Sequence, residues 1–483
     1  MPVTSAARID STYTEGHDTF RNELASVARD GRRRWVYARQ PSGRLYRVRT
    51  VLSVFLLAFL LLAPFVEIQG QPLMLLDVLN RRFVILGTLF MPQDFYIVVV
   101  LALTVLVTVV MSTVVVGRIW CGWLCPQTIF MELLFRKIEF AIEGSAEEQL
   151  RNDRSPRSLT RTLRKGIKHA IFFGLSFIIA NVFLAWIIGS GPLFAIVTDS
   201  PRRHLAGLLA ISIFSLVFYA VFARFREQAC VLACPYGRML SSLVDSRTVT
   251  VTYDTVRGEP RSRLLRGPQG STHSGDCIDC HRCVTVCPTG IDIRNGIQLE
   301  CIACTACIDA CNDVMSRVGR RPGLIRHTSA DRLRGGSPRW VHSRVVAYAA
   351  VWLVLVSSAV GLLATRHDLD FVILRQPGTL YASVAGGDLA NFYTLEGLNR
   401  SSRVAPFSVE ILEPAGATVT ILGSSQVPPY GVLDARLLLR LPPTAIKGPT
   451  TVVRFAVRSD GHIVQRIDSG FLGPATSNGR QTP

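Results

Sequence analysis

The sequence predicts an α-helical membrane protein with a cysteine-rich segment between its fourth and fifth membrane helices and a C-terminal antiparallel β-sandwich. Three observations lead to this prediction. Five apolar stretches are long enough, or nearly so, to cross a bilayer, eight cysteines repeat one spacing, and the C-terminal region alternates apolar and polar residues. The chain has 483 residues, 49% of them hydrophobic, a length that normally means several domains.

The five apolar stretches lie at 50–66, 95–116, 170–188, 205–223 and 345–364. A membrane-spanning helix needs about 20 mainly apolar residues. Arginine and lysine are dense before the first stretch and after the second, and sparse after the first and third. Because basic loops remain in the cytoplasm, we expect the N-terminus and the segments 117–169 and 224–343 there, and the tail after the fifth stretch outside.

The net charge of +18 raises the question of nucleic-acid binding. The basic excess lies largely beside the predicted membrane helices, where it orients a membrane protein and meets anionic lipid. No nucleic-acid-binding motif accompanies it. We therefore predict that the membrane, and not nucleic acid, is the partner of this charge.

The eight repeated cysteines form two runs with the spacing C-x-x-C-x-x-C-x-x-x-C. In bacterial ferredoxins, three thiolates of one run and the fourth of the other hold one cubane [4Fe–4S] cluster. Zinc sites instead use separated C-x-x-C pairs, and disulfides are rare in the cytoplasm. We expect two clusters, one held by the first ferredoxin set (Cys277, Cys280, Cys283 and Cys311) and one by the second ferredoxin set (Cys287, Cys301, Cys304 and Cys307).

The remaining four cysteines form two C-x-x-x-C-P motifs, one after the second membrane stretch and one after the fourth. Residues four apart lie on one face of an α-helix, so each motif would present two sulfurs together. If the two membrane helices are neighbours, four thiols converge, and soft sulfur suits Cu(I), zinc or a further iron–sulfur centre. Helix packing is the structural alternative, because free cysteine buries well. These CxxxCP thiols are Cys121, Cys125, Cys230 and Cys234.

Three other features complete the prediction. Arg118 and Arg238 lie near the CxxxCP thiols, where they could lower a thiol pKa or equally anchor the chain in lipid. Residues 1–49 are predicted to be a disordered or loosely attached arm, and 127–144 an amphipathic helix. Strands are expected at 409–412, 418–422, 435–441 and 452–457.

Several motifs together resemble the family of cytochrome c oxidase accessory proteins called CcoG, FixG or RdxA. The resemblance runs from about residue 35 to the β-sandwich. The matching segments are 118–127 (RIWCGWLCPQ), 233–238 (ACPYGR), 253–261 (YDTVRGEPR), 275–280 (GDCIDC), 286–294 (VCPTGIDIR) and 323–326 (GLIR).

The resemblance implies a multi-pass protein of the bacterial inner membrane that assists assembly of cbb3-type cytochrome c oxidase. It implies that the CxxxCP thiols are catalytic and reduce Cu(II) to Cu(I), with copper bound transiently, and that the eight other cysteines are cluster ligands. It also implies that the C-terminal sandwich is immunoglobulin-like and periplasmic. Expected partners are a cytoplasmic electron donor of unknown identity, copper-handling proteins and subunits of the oxidase.

The fold class expected is therefore a membrane α-helical protein with five transmembrane helices, a cytoplasmic dicluster ferredoxin module and an immunoglobulin-like β-sandwich. The expected domains are an arm (1–49), four membrane helices with a cytoplasmic loop at 117–169 (50–223), the ferredoxin region (224–343), a fifth membrane helix (345–364) and the sandwich (365–483). Two other functions remain open: an electron-transfer subunit of a quinol-linked redox chain, and a non-catalytic assembly scaffold.

Overall fold

The computed structural model describes residues 26–474, with gaps at 28–29, 31, 79–80, 157, 264–274, 299, 337–341, 379 and 385–386. The chain forms two compact units. One is built around the cysteine-rich segment and its neighbouring helices, and the other around the C-terminal strands.

Five helices in the described part of the chain are long and apolar enough to cross a membrane, as the sequence predicts. They are Arg44–Leu62, Pro92–Val116, Leu159–Ile188, Leu205–Phe225 and Ser343–Ala364. The first begins at Arg44 and not at 50, and the third at Leu159 and not at 170, because basic residues continue both helices beyond the apolar stretch.

The membrane helices contact one another through a few specific side chains. The indole N–H of Trp186 in the third helix donates a hydrogen bond of 2.9 Å to the carbonyl oxygen of Leu60 in the first. Phe183 and Phe218 join the third and fourth helices, with ring centroids 5.3 Å apart. Hence the first, third and fourth helices pack around a shared aromatic core.

Shorter helices occur elsewhere in the described residues. The α-helices are Ile119–Trp123, Pro126–Thr128, Arg136–Glu143, Ala146–Arg154, Ser190–Thr198, Pro235–Met239, Thr255–Gly258, Arg282–Thr285, Ala306–Arg317 and Ala330–Leu333. The π-helices are Ile129–Phe135, Val221–Phe225 and Ala229–Ala233. The 3₁₀ turns are Pro92–Asp94, Leu240–Leu243, Ile293–Asn295 and Pro443–Ala445.

The amphipathic helix predicted at 127–144 is present, with a π-helical segment at Ile129–Phe135 in its middle. Its apolar side faces protein: Phe135 stacks on Phe222, with centroids 4.6 Å apart, and meets the edge of Phe172 at 4.9 Å. It therefore packs against the third and fourth membrane helices.

The prediction of a loosely attached arm is wrong for its C-terminal part. The backbone N–H of Arg39 donates to the carbonyl oxygen of Thr285 at 2.7 Å, and Asp309 accepts from the N–H groups of Leu45 and Tyr46 at 3.3 and 2.8 Å. This stretch is thus fixed to the ferredoxin segment by contacts between residues far apart in sequence, which local composition does not reveal. Residues 1–25 lie outside the described part of the chain.

The second unit contains an antiparallel β-sandwich, as the sequence predicts. One sheet has the order Thr418–Leu422, Val432–Leu441, Leu389–Asn399 and Leu369–Arg375, with Ala382–Ser383 paired to Leu389–Asn399. The other has the order Ser408–Glu413, Thr450–Ser459 and His462–Leu472. Fully buried side chains fill the space between them, including Tyr393, Leu437, Phe455 and Phe471.

Short strands occur elsewhere in the described residues. They are Glu67–Ile68, Gln71–Pro72, Met74–Asp77, Arg82–Ile85, Thr88–Phe90, Ala405–Pro406 and Gln426–Val427. A further antiparallel pair, Thr250–Tyr253 with Ile325–Thr328, lies in the ferredoxin segment and brings its two ends together.

Candidate functional site

The two cysteine runs fold into the same local shape. Asp279 and His281 in the first run, and Ala303 and Thr305 at the equivalent positions of the second, all have positive φ, between 51° and 65°. Left-handed residues at alternate positions curl the backbone, so that successive cysteines turn toward one side. A short helix, Arg282–Thr285 or Ala306–Arg317, then follows each loop.

Each ferredoxin set lines its own small pocket. Tyr253, Met315 and Ile325 complete the first pocket, whose cysteines are Cys277, Cys280, Cys283 and Cys311. Ile291, Ile302 and Thr305 help to line the second, whose cysteines are Cys287, Cys301, Cys304 and Cys307, with Cys283 at its edge. The structure therefore brings together the two sets of four that the spacing predicts, and Cys283 lies between them.

The chemistry of both pockets fits an iron–sulfur cluster. All twelve cysteines are free thiols, and burial raises the pKa of Cys301 and of Cys311 to about 12. Such thiols give up their protons when they bind metal. Among the described residues, no three cysteine, histidine or acidic side chains are placed to hold a single metal ion. A cubane spreads its ligands over four separate iron atoms, so the ferredoxin sets need not meet that condition.

The two C-x-x-x-C-P motifs also share one backbone geometry, and it is not the α-helical turn, with both cysteines on one helix face, that the sequence predicts. The first lies on Ile119–Trp123 and the second on the π-helix Ala229–Ala233. In each, the N–H of the second cysteine bonds at 2.9 Å to the carbonyl oxygen five residues back: Cys125 to Trp120, and Cys234 to Ala229.

The prolines explain this departure. A residue before proline is excluded from the α conformation, and Cys125 and Cys234 are indeed extended, with ψ of 123° and 111°. Each proline then starts a new short helix, Pro126–Thr128 or Pro235–Met239. The second thiol of each motif therefore lies at a junction between two helices.

The four CxxxCP thiols lie close enough together for the charge on one to affect the pKa of another. Burial and, to a smaller extent, the neighbouring Cys125, Cys121 and Cys234 together raise the pKa of Cys230 to about 12. Burial also raises the pKa of Cys121, while the charge of Arg118 opposes the change. Arg118 is only 6% exposed, so it acts on the thiols and is not a lipid-facing anchor. The side chain of Arg238 lies outside the described part of the structure.

The first C-x-x-x-C-P motif lies directly against the second ferredoxin set. Cys121 and Cys304 belong to one buried apolar cluster, together with Ile302. The indole N–H of Trp123 donates to the carbonyl oxygen of Ala303 at 3.2 Å. A Cβ built on Gly122 would lie 3.0 Å from the Cα of Cys304 and closer still to the carbonyl oxygen of Ile302, so only glycine allows this approach.

Two buried residues beside the ferredoxin sets are not predicted by the sequence motifs. Arg49 is 1% exposed and donates from Nε to the carbonyl oxygen of Gly122 at 2.7 Å. Tyr253 is buried beside Cys277. Its pKa is raised, mainly by burial and secondly by the neighbouring Cys277 thiol. The sequence offers no signal for Arg49, which is one of many arginines in the arm. Tyr253 lies in a segment that matches the family, but that match assigns it no role.

Comparison with known proteins agrees with this geometry. Family models for a 4Fe-4S dicluster domain, a 4Fe-4S binding domain and an IG-like fold at the C-terminal of FixG match residues 225–330, 98–143 and 359–474. The pockets and these matches define a membrane iron–sulfur protein of the electron-transfer class.

Curated relatives cover most of the chain. Protein RdxA of Cereibacter sphaeroides is 32% identical over 428 residues, which is 86% of this chain and 90% of RdxA. The nitrogen fixation protein FixG of Rhizobium meliloti is 29% identical over 434 residues, 82% of each chain. The crystal structure of a FixG-related protein from Vibrio parahaemolyticus aligns with 22% of this chain and 97% of its own, at 21% identity and a TM-score of 0.18. The chain belongs to the FixG/RdxA family.

Proposed function

We propose that this protein delivers single electrons from its ferredoxin segment to copper at the CxxxCP thiols, reducing Cu(II) to Cu(I) for assembly of a cbb3-type cytochrome c oxidase. One observation carries the proposal: the close approach of Gly122 to Ile302 and Cys304. It joins the predicted copper thiols to the predicted cluster ligands by direct contact.

The residues of the chain have distinct roles in this proposal. The ferredoxin sets hold two [4Fe–4S] clusters, which when bound supply one-electron transfer. Cys280 is an exposed thiol at the rim of the first pocket, so electrons from a soluble donor enter there. Cys121, which packs against Cys304, forms the exit. The polypeptide thus supplies a short, water-poor connection between entry and exit.

Copper is the substrate of this step. Each Cu(II) accepts one electron and becomes Cu(I), and a cytoplasmic one-electron donor replaces that electron in the protein. Cu(I) prefers soft sulfur ligands, so the CxxxCP thiols favour the reduced ion. The raised pKa values of Cys121 and Cys230 mean that these two thiols release protons when copper binds.

The basic residues support an orientation in the bacterial inner membrane. Arginine and lysine concentrate before the first membrane helix and after the second, so we place the N-terminus and both ferredoxin sets in the cytoplasm. The β-sandwich then lies in the periplasm, where we propose that it meets copper-handling proteins and oxidase subunits.

The test uses full-length protein purified without oxygen. Cys125→Ser and Cys234→Ser should retain the iron of the wild type but lose Cu(II) reduction, measured with a Cu(I)-specific chelator after chemical reduction of the protein. Cys280→Ser is the matched control at a ferredoxin position, and it should lose iron. Normal Cu(II) reduction by both CxxxCP variants would refute the proposal.

A second candidate follows from one specific observation. The 4Fe-4S binding domain model matches residues 98–143, which contain Cys121 and Cys125. Under this alternative the CxxxCP thiols hold a third cluster and the acceptor is not copper. Iron analysis separates the two, because two clusters contain about eight iron atoms per chain and three contain about twelve.

A further inference from the structure

Arg49 is a buried cation with an incomplete set of partners. It lies in the first turns of the first membrane helix, yet it is 1% exposed. Its Nε donates to the carbonyl oxygen of Gly122 at 2.7 Å, while its Nη2 is buried and has no hydrogen-bond partner among the described residues. No carboxylate in the described part of the chain forms an ion pair with it. A buried charge left in this state destabilises the fold strongly unless something negative compensates it.

The second ferredoxin set supplies that negative charge when its cluster is bound. Gly122, which Arg49 contacts, lies against Ile302 and Cys304 of this set. The guanidinium of Arg49 bonds to the carbonyl oxygen of Gly122, and Gly122 lies against the backbone of Cys304. Arg49 is therefore close enough to Cys304 for its charge to act on whatever that thiol holds.

The first ferredoxin set has a buried arginine too, but its charge is neutralised. Arg294 lines the first pocket and pairs with both Asp279 and Asp292 at 2.6 Å. The first set also reaches water through the exposed Cys280, whereas none of the four cysteines of the second set is exposed. Burial alone would make the second cluster harder to reduce than the first, because reduction adds negative charge to a site with little water.

We propose that Arg49 raises the reduction potential of the cluster at the second ferredoxin set and so directs electrons toward the CxxxCP thiols. An uncompensated positive charge stabilises the reduced, more negative state, and net charge is one of the factors that set such potentials. Arg49 thus offsets the effect of burial at the second set. It is a positioning residue, since it acts on the electron through the cluster ligands. The proposal rests on the proposed function, in which electrons leave through Cys121.

The test is a redox titration followed by electron paramagnetic resonance on full-length protein. Arg49→Met removes the charge, Arg49→Lys retains it, and Arg47→Gln removes an exposed positive charge two residues away. We expect Arg49→Met to lower the equilibrium constant for reduction of one cluster tenfold or more. For one electron, a tenfold change corresponds to a potential lower by about 59 mV. Arg49→Lys should keep most of the wild-type potential, and Arg47→Gln should leave the potentials of both clusters unchanged.

The affected cluster is assigned by repeating the titration in a Cys280→Ser background, which perturbs the first set alone. A lowered potential that persists there locates the effect at the second set, as proposed. Unchanged potentials in iron-loaded Arg49→Met would overturn the proposal. The proposal would also be overturned if Arg49→Met lost the iron of the second set while it kept that of the first set and Arg49→Lys lost none. Arg49 would then have a structural role. Because the titration contains no copper, unchanged potentials with intact Cu(II) reduction would reject the role of Arg49 and leave the proposed function standing.

Discussion

Asp309 accepts a hydrogen bond of 2.8 Å from the backbone N–H of Tyr46. Asp309 lies between Cys307 and Cys311 of the ferredoxin segment, and Tyr46 lies in the first turn of the first membrane helix. The carboxylate therefore closes the amino end of a membrane helix from the middle of a cysteine run. Gly43, with φ of 142°, lies so close to Asp309 that any side chain there would collide with it.

Removing this cap should loosen the attachment of the ferredoxin segment to the first membrane helix. We expect Asp309→Ala to destabilise the protein by about 1–2 kcal/mol, because two helix N–H groups lose their acceptor and the helix dipole loses a negative charge. Asp309→Asn keeps an acceptor and should lose less. Thermal unfolding in detergent measures both, and equal stability of Asp309→Ala and wild type would contradict the assigned role.

Gly122→Ala should push the first C-x-x-x-C-P motif away from the second ferredoxin set. Its new Cβ meets backbone atoms, which cannot move aside, so we expect a destabilisation of about 1–3 kcal/mol and slower Cu(II) reduction. Gly174→Ala is the control, since a Cβ there has nothing within 4 Å and alanine favours helix. Stopped-flow reoxidation by Cu(II) measures the effect. Identical rates for the two variants would show that the close approach is unimportant.

Glu139 holds two buried cations at the end of the third and fourth membrane helices. Its carboxylate pairs with Arg226 at 2.7 Å and with Lys168 at 3.4 Å. Glu139→Gln would leave the buried Arg226 without its ion-pair partner, although Lys168 would keep its pair with Glu143 at 2.9 Å, so we expect a loss of about 3–5 kcal/mol. Asp313→Asn, which breaks the exposed pair with Arg317, should cost about 0.5 kcal/mol or less. Similar unfolding temperatures for the two variants would contradict this expectation.

The same carboxylate predicts acid sensitivity. Burial raises the pKa of Glu139, but Arg226 and Lys168 outweigh it and hold the pKa below its ordinary value. A lowered native pKa gives stability that is present above the unfolded pKa of about 4.3 and lost as the pH falls through the native pKa. Unfolding temperatures should therefore fall more steeply below about pH 4 in the wild type than in Glu139→Gln. Parallel curves of unfolding temperature against pH for the two proteins would exclude Glu139 as the source of the acid sensitivity.

In the second unit, Asp94 is the centre of a buried ion cluster. It pairs with Arg366 at 2.9 Å and with Arg400 at 2.8 Å, whereas the half-buried Asp370 is 3.6 Å from Arg400. We expect Asp94→Asn to destabilise this unit by about 3–5 kcal/mol and Asp370→Asn by at most about 1 kcal/mol. Limited proteolysis of the β-sandwich compares them. Equal protection of the two variants from proteolysis would mean that burial of the Asp94 ion pairs is unimportant for stability.

The sequence predicts what depends on local spacing. The two ferredoxin sets follow from the repeated cysteine intervals, and the five membrane helices from the length of their apolar stretches. The conformation of Cys125 and Cys234 could also have been predicted, since the proline after each one excludes the α conformation.

Contacts between distant segments could not be predicted. Arg49 resembles its neighbouring arginines until the fold buries it against Gly122, and Asp309 gives no sign that it caps a helix more than 250 residues earlier. The strands Leu369–Arg375, Leu389–Asn399 and His462–Leu472 were not predicted either, although each pairs with a neighbour over most of its length.

The most direct test of the account is a single mixing experiment on oxygen-free, chemically reduced protein. Cu(II) is added, and the absorbance of the iron–sulfur chromophore is followed in the wild type and in a variant with all four CxxxCP thiols changed to serine. The account predicts rapid reoxidation of the wild type with one Cu(I) formed per electron lost, and little reoxidation of the iron-loaded variant. Equal reoxidation of both would show that electrons reach copper without these thiols, and would contradict the central claim.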